Sequence, residues 1–300
     1  MKIVFMGTPD FAVASLDALM KSGHEIMAVV TTPDKQRGRG QRVTYTAVKE
    51  FAMEHQLPVL QPDSMKDPGF IDSLRALQPD LFVIVAFRIL PREVFSIPPM
   101  GSFNLHGSLL PKYRGAAPIQ WALINGERET GVTTFFLQDK VDTGNIITSE
   151  KIRIEDSDDF GTLHDKLAVL GASVVIKTVG MISSGSIELS TQDDSIASAA
   201  PKINKEICHI SWNRSAEDIH NLIRGLSPYP GAFFYHNGKQ IKIYRSEVDN
   251  SVTMEPGAIR QSGTQLLIGC NSGAIRPMQL QLEGRKRLNV EEFLRGYSFD

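Results

Sequence analysis

The alternation of short apolar runs with stretches of helical spacing constrains the fold of the first half of this chain more than any other feature. Runs typical of buried strands lie at Lys2–Met6, Ile26–Val30, Leu81–Ala86, Ser102–His106 and Gly131–Leu137. Helical spacing is found at Phe11–Ser22, Ala47–Gln56, Pro68–Leu77 and from Gly161 to about Ser183. Strands and helices that alternate in this way predict an α/β domain with a mostly parallel sheet and helices on both faces.

The pattern changes after the last of these helices. A stretch of polar and small residues from Ser184 to about Pro201 is typical of a linker. A helix is predicted at Ser215–Gly225, and short strand-like runs with Gly and Asn turns follow at Ala232–Tyr235, Gln240–Tyr244, Gly257–Arg260, Gln265–Ile268 and Ala274–Leu282. We therefore expect a Rossmann-like domain at residues 1–185, a linker at 186–203 and a small OB-like β-barrel at 204–300.

Charge and cysteine content limit the classes of function. The net charge is −2, but residues 201–300 hold 13 Lys and Arg against 10 Asp and Glu. A polyanion would therefore be bound by local basic stretches and not by a basic protein as a whole. Cys208 and Cys270 form no CxxC pair, and two buried thiols are favoured over a disulfide. Without an apolar run of bilayer length or a leader pattern, we expect a cytoplasmic protein that does not bind a membrane.

The turn after the first predicted strand argues against a nicotinamide or flavin dinucleotide. It reads Met6-Gly7-Thr8-Pro9-Asp10-Phe11, with one glycine where the dinucleotide-binding fingerprint needs three. A strand-to-helix turn capped by Thr8 or Asp10 is the simpler interpretation.

Asn104 and His106 form the first candidate site. Alternation along Ser102–His106 places both side chains on one side of a strand, and a loop with Gly107, Pro111 and Gly115 follows. Ligand sites in open α/β sheets lie at the carboxyl ends of strands, so the pair is well placed. Taken alone, the pair is more typical of a hydrogen-bonded core histidine and a turn-stabilising asparagine than of a catalytic site.

The residues around this pair resemble those of the folate-dependent formyltransferases. The segment Asn104-Leu105-His106-Gly107-Ser108-Leu109-Leu110-Pro111-Lys112-Tyr113-Arg114-Gly115 contains the family's Asn-x-His, Ser-Leu-Leu-Pro and Tyr-Arg-Gly at the family's spacing. A third family motif, Asp-x-Gly-x-Ile, matches Asp142-Thr143-Gly144-Asn145-Ile146. The resemblance implies that Asn104, His106 and Asp142 are catalytic. It also implies a folate pocket lined by Ser108, Leu109, Leu110, Pro111, Phe87 and Ile89, where Phe87-Arg88 replaces the family's usual Tyr-Gly.

The implied chemistry explains why these three residue types are needed. The formyl donor carries an amide-like carbonyl, and attack by an amine creates an oxyanion. The amide NH2 of Asn104 and a ring N–H of His106 are suitable donors to that oxyanion. The attacking nitrogen must then lose a proton, and Asp142, or a water that it holds, is the natural acceptor. No metal is required.

Two further features point to the formyl acceptor. The stretch from Thr32 to Thr44 carries Lys35, Arg37, Arg39 and Arg42 with almost no acidic residues. It resembles the loop with which members that act on methionyl-tRNA engage the acceptor stem, and a solvated charged loop is the alternative. The predicted barrel adds basic residues at Lys202, Lys205, Arg214, Arg285, Lys286 and Arg287.

The resemblance therefore implies transfer of formyl from 10-formyltetrahydrofolate to the free amino group of methionyl initiator tRNA, for translation initiation. We expect a monomer, because no extended apolar interface is evident. Two alternatives stay open: a formyltransferase that acts on a nucleotide-linked amino sugar, and a tRNA-binding module with a vestigial catalytic core.

Overall fold

The computed structural model describes residues 1–37 and 42–299, and at residues 36, 37, 42 and 43 only the backbone is described. The chain divides into two compact units. The first comprises residues 1–115, 131–152 and 164–199, and the second comprises residues 116–130, 153–163 and 200–300.

The first part of the chain alternates strands and helices. The strands are β1 (Lys2–Gly7), β2 (Glu25–Val30), β3 (Lys35–Arg37), β4 (Arg42–Thr44), β5 (Val59–Leu60), β6 (Leu81–Val85), β7 (Ser102–His106), β8 (Arg114–Gly115), β9 (Glu129–Phe136) and β10 (Ile146–Arg153). The helices are α1 (Val13–Lys21), α2 (Ala47–Glu54), α3 (Pro68–Ala76), α4 (Arg92–Phe95), α5 (Pro118–Ile124) and α6 (Phe160–Ser184). A 3-10 turn at Asp10–Ala12 precedes α1.

Seven of these strands form one sheet in the order β10-β9-β7-β6-β1-β2-β5. The pairs β1–β2, β1–β6, β2–β5 and β6–β7 are parallel, and β7–β9 is antiparallel. The predicted α/β fold with a mostly parallel sheet is therefore confirmed. The carboxyl ends of β6 and β7 lie side by side, because Val85 pairs with Leu105.

Local sequence signals explain where the helices begin. Thr46 accepts a hydrogen bond from the amide of Lys49 at the start of α2. Asp67 caps α3 in the same way, and Pro68 occupies the first helical position. The apolar faces of α3 and its neighbours cover Val4, Met6, Phe82 and Ile84, which are at most 3% exposed. Burial of this face, and not helix propensity, stabilises so short a helix.

Helix α6 is long and apolar, and its bounds agree within a residue with the helix predicted from Gly161 to about Ser183. Its 25 residues are long and apolar enough to cross a membrane, by length and composition only. Half of its apolar 18-residue stretch is buried in the fold. Leu167, Val175 and Val179 are at most 1% exposed, as expected of a core helix. Polar residues such as Lys177 interrupt its sequence, so the helix contains no continuous apolar run of bilayer length.

The second half of the chain is built on an antiparallel sheet. The strands of this sheet are β12 (Ala232–His236), β13 (Lys239–Asp249), β14 (Ile259–Ser262), β15 (Gln265–Gly269), β16 (Ala274–Leu282) and β17 (Leu288–Asn289), and the short strand β11 (Ala199–Ala200) lies outside it. The helices of this half are α7 (Lys205–Cys208), α8 (Ala216–Gly225) and α9 (Val290–Leu294). The sheet runs in the order β12-β13-β16-β15-β14, with β17 beside β16. A C-terminal antiparallel β-sheet domain, as expected, follows the α/β domain.

A single core lies under this second sheet. Ile219 and Ile223 of α8 meet Ile241, Leu266 and Ile275 of the strands, and all five are at most 1% exposed. Cys208 and Cys270 are both buried and free, as the sequence analysis favoured.

The bounds of the two units differ from the predicted domain limits, which remain a proposal. Most of the segment expected to be a linker belongs to the first unit. Gln192 in that segment is 8% exposed, and Ser198 accepts a hydrogen bond from the amide of Tyr113. Side-chain hydrogen bonds therefore hold a polar segment that composition alone suggested would be free.

Candidate active site

The predicted pair Asn104 and His106 lies on β7, between β6 and β9 in the sheet. His106 is 6% exposed, whereas Asn104 is half-buried. Within the described part of the chain, the side-chain amide of Asn104 makes no hydrogen bond. A half-buried amide without a protein partner is available to a ligand.

The hydrogen bonds of His106 assign its tautomer. Nε2 lies 2.8 Å from the carbonyl oxygen of Tyr113, and a carbonyl oxygen only accepts, so Nε2 carries a proton and donates it. Nδ1 lies 4.0 Å from Oδ2 of Asp142, which is too long for a direct hydrogen bond. In the neutral ring Nδ1 is an acceptor, and only the protonated imidazolium offers a second N–H.

Asp142 is held in an unusual backbone conformation next to this histidine. Its φ is +54°, in the left-handed region that residues with a Cβ atom rarely adopt. Its Oδ2 accepts a hydrogen bond of 2.9 Å from the amide of Gly115, and its side chain is 13% exposed. The structure thus brings together the three predicted catalytic residues, two from β7 and one from the loop between β9 and β10, at the same end of β7.

Gly144 allows the chain to turn at this point. A Cβ atom at this residue would lie 1.7 Å from the carbonyl oxygen of Phe136, a backbone atom that cannot move aside alone. The glycine of the Asp-x-Gly motif is therefore explained by close backbone approach.

The loop after β7 is fastened by hydrogen bonds at both ends of Ser108-Leu109-Leu110-Pro111. The Ser108 hydroxyl donates to the carbonyl of Lys112 at 2.6 Å. Thr133 of β9 donates to the carbonyl of Ser108 at 2.7 Å and accepts from the amide of Leu110 at 3.1 Å. Ser108, Leu110 and Pro111 are buried, and Leu109 is half-buried. Thr133 was not predicted, although its strand was.

An open pocket follows the carboxyl end of β6. Its lining includes Met65, Arg88, Ile89, Leu90 and Phe95. The predicted ligand contact Ile89 is 71% exposed there, whereas Phe87 packs partly buried against the core of the sheet.

Arg88 connects the segment after β6 with the loop before α3. Its guanidinium donates to the carbonyl of Asp63 at 3.0 Å and to the carbonyl of Pro62. Burial lowers the pKa of Arg88, against the opposing charge of Asp63. Ala86, two residues earlier, has a φ of +47°. Arg88, which replaces the family's glycine, therefore does not adopt a backbone conformation that requires glycine. Its side chain instead holds the loop before α3.

The predicted basic loop is described only in part. The side chain of Lys35 is exposed, and its carbonyl accepts a hydrogen bond from Thr44 at 3.0 Å. Arg37 pairs with Arg42 through the backbone of the β3–β4 hairpin. Arg39 lies outside the described residues, as do the side chains of Arg37 and Arg42.

The predicted basic residues of the second unit are exposed. The guanidinium carbon of Arg287 lies 3.4 Å from the ring centre of Tyr244, a cation–π contact that presents the arginine in one orientation. Arg214 lies 3.8 Å from Asp218, a weak surface pair.

Among the described residues, no group of three or more His, Cys, Asp or Glu side chains is arranged to hold a metal ion.

Known proteins resemble this chain over its whole length. The profile of the family described as Formyl transferase matches residues 1–179, and that of the Formyl transferase C-terminal domain matches residues 202–298. A protein named Methionyl-tRNA formyltransferase from Caldanaerobacter subterraneus subsp. tengcongensis is 46% identical over 99% of this chain and 97% of its own length.

Solved structures share the fold at lower identity. WlaRD, a sugar 3N-formyl transferase solved in the presence of dTDP and 5-N-formyl-THF, covers 95% of this chain with 99% of its own length, at 23% identity and a TM-score of 0.69. HypX from Aquifex aeolicus, solved in complex with tetrahydrofolic acid, covers the whole chain with 48% of its own length, at 17% identity and a TM-score of 0.67. At these identities the likeness concerns the fold alone.

Proposed function

Because this chain belongs to the formyl transferase family, and within it to the methionyl-tRNA formyltransferases, we propose that it transfers a formyl group from 10-formyltetrahydrofolate to the amino group of methionyl initiator tRNA. The observation that carries the proposal is full-length identity of 46%, together with a half-buried Asn104, a buried His106 and Asp142 gathered at one strand end. The product would be N-formylmethionyl-tRNA for translation initiation.

Asn104 and His106 are proposed to stabilise the oxyanion that forms when the amine attacks the formyl carbonyl. Among the described residues the amide of Asn104 has no hydrogen-bond partner, so it supplies one donor. Because Nε2–H of His106 already donates to Tyr113, the second donor is Nδ1–H of the protonated ring. Losing one such donor typically lowers the rate by about 10²–10³-fold.

Asp142 is proposed to accept the proton that the attacking amine must lose. After attack, the amine nitrogen carries a positive charge and loses a proton readily. Nδ1 of His106 and Oδ2 of Asp142 lie 4.0 Å apart, so a water beside the pair can hydrogen-bond to both atoms and relay the proton. Asp142 would accept the proton directly or through such a water and deliver it toward the leaving folate nitrogen.

The folate is proposed to lie against Ser108-Leu109-Leu110-Pro111 and the segment of Phe87 and Ile89. Support comes from the adjacent carboxyl ends of β6 and β7, which place both segments at one edge of the sheet. The exposed Ile89 side chain offers an apolar surface to a flat ring, and backbone groups of the fastened loop offer polar partners.

The tRNA is proposed to contact Lys35, Arg37, Arg39 and Arg42 and the basic residues of the second unit. The side chains of Lys35 and of the basic residues of the second unit are exposed. Exposed cations suit a phosphate backbone, whereas a nucleotide-linked amino sugar needs few of them. We propose a cytoplasmic monomer that uses neither a metal nor a membrane.

The experiment that separates the two acceptor classes measures transfer of labelled formyl to methionyl initiator tRNA and to a dTDP-linked amino sugar side by side. Transfer to the tRNA alone supports the proposal. Transfer to the sugar alone would replace it with the alternative, and binding of tRNA without any turnover would point to a vestigial core.

A further inference from the structure

Gln192 lies in the segment that composition predicted to be a linker, yet its side chain is 8% exposed. Its Nε2 donates to the carbonyl of Asp142 at 3.0 Å and to the carbonyl of Gly144 at 2.8 Å. A primary amide has two N–H groups, so both donors of Gln192 are used on the backbone of the Asp-x-Gly motif.

The other end of the same amide holds the loop that follows β7. Its Oε1 accepts from Nε of Arg114 at 3.1 Å and from Nη2 of Arg114 at 2.7 Å. Arg114 also lies 2.7 Å from Oδ1 of Asp194, and its backbone amide donates to the carbonyl of Ser198 at 2.8 Å. One side chain therefore connects the loop that carries Asp142 with the loop that follows His106.

Asp142 requires such support because its backbone is in the left-handed region, at a φ of +54°. A conformation that is intrinsically unfavourable persists only where surrounding contacts determine it. Two contacts do so here: the amide of Gly115 on the carboxylate and the amide of Gln192 on the carbonyl.

We propose that Gln192 is a positioning residue, which fixes the backbone of Asp142 so that its carboxylate stays beside Nδ1 of His106. The proposal rests on the function proposed above for Asp142. In this proposal, the segment predicted to be a linker contributes a residue that sets the active-site geometry.

Two substitutions separate the roles of this amide. Gln192→Met keeps the length of the side chain and removes all four hydrogen bonds. Gln192→Glu keeps the oxygen that faces Arg114 but turns a second oxygen toward the carbonyls of Asp142 and Gly144. It thereby removes the donors selectively, and it carries the test if Gln192→Met does not fold. Gln261→Met, at an exposed residue of β14, is the matched control.

The experiment measures kcat and KM for formyl transfer to methionyl-tRNA, with amide hydrogen exchange of residues 138–145 measured on the same proteins. We expect either Gln192 variant to lower kcat by about 10- to 100-fold with little change in KM, because a displaced catalytic group affects the chemical step. Exchange in residues 138–145 should become faster. In the Asp142→Ala background, Gln192→Glu should cause no further loss of kcat.

An unchanged kcat in a folded Gln192 variant would overturn the proposal, and so would a loss of equal size in the Asp142→Ala background. If the wild-type protein transfers no formyl group to tRNA, the proposed function fails. Exchange in residues 138–145 then still decides whether Gln192 holds this segment: faster exchange in the variants supports the anchoring, and unchanged exchange overturns it.

Discussion

Nδ1 of His106 lies 4.0 Å from Oδ2 of Asp142, while Nε2 of the same ring donates to the carbonyl of Tyr113. The two ring nitrogens therefore have different roles. Nε2 orients the imidazole, and Nδ1 faces the carboxylate of Asp142 at a distance too long for a direct hydrogen bond. A ring with its orienting bond already made is preorganised for one reaction geometry.

Asn104→Ala should lower kcat by about 10²–10³-fold, because it removes one proposed donor to the oxyanion. Among the described residues the Asn104 amide has no hydrogen-bond partner, so its loss should cost little stability. Steady-state formyl transfer measures the loss, and the thermal midpoint should change little. Asn213→Ala, at an exposed asparagine of the second unit, is the control. A rate within a few-fold of wild type for Asn104→Ala would remove this residue from the mechanism.

Gly144→Ala should destabilise the protein by about 2 kcal/mol or more and abolish activity, since the new Cβ atom meets the carbonyl oxygen of Phe136. Gly180→Ala is the matched control within α6, where, apart from the adjacent residues and the helix's own backbone, no atom of the described residues lies within 4 Å of the added carbon. Removing a helix-interior glycine should instead raise stability by about 0.5–1 kcal/mol. Urea denaturation of both variants checks the contrast, and equal effects would contradict the account.

Acid should destabilise the fold through His220. Burial first, and then the charge of Arg224, lowers the pKa of His220 below its ordinary value of 6.5, against opposing acidic groups that include Glu217. The unfolded chain therefore binds the proton at a pH where the folded chain does not, so stability falls as pH drops below about 6.5. His220→Gln should flatten this dependence in thermal melts between neutral and mildly acidic pH. A variant that loses as much stability as wild type over the same range would show that other groups are responsible.

The two cysteines should resist alkylation in the folded protein. Burial raises the pKa of Cys270 to about 11 and also raises that of Cys208, and both side chains are at most 5% exposed. Thiolate is the reactive form, so iodoacetamide at mildly alkaline pH should label neither residue until urea is added. Rapid labelling of the native protein at either cysteine would contradict the packing of this core.

The sequence predicted the elements that hold the site better than the contacts that set its geometry. Period-two alternation identified the strand that carries Asn104 and His106, with the same bounds that the structure has. Asp142 came from a motif and not from periodicity, since turn residues have no repeating pattern. No local pattern indicated that the chain would return to place Asp142 beside His106.

Gln192 and Thr133 show why other contacts could not be predicted. Gln192 stands among polar and small residues, and its burial results from long-range bonds to Arg114 and Asp142. Thr133 lies on a predicted strand, yet its bond to Ser108 depends on the antiparallel register that pairs it with His106. Register between distant strands is a tertiary property.

The most direct test of the central claim is single-turnover transfer of labelled formyl from 10-formyltetrahydrofolate to methionyl initiator tRNA, with wild type compared with Asp142→Ala. We predict rapid transfer by the wild-type protein and a loss of at least about 10²-fold in the variant, with tRNA binding unchanged. Transfer by Asp142→Ala at the wild-type rate would contradict the proposed role of Asp142. Absence of transfer to the tRNA by the wild-type protein, with turnover of the folate on an amino sugar or water, would contradict the proposed function itself.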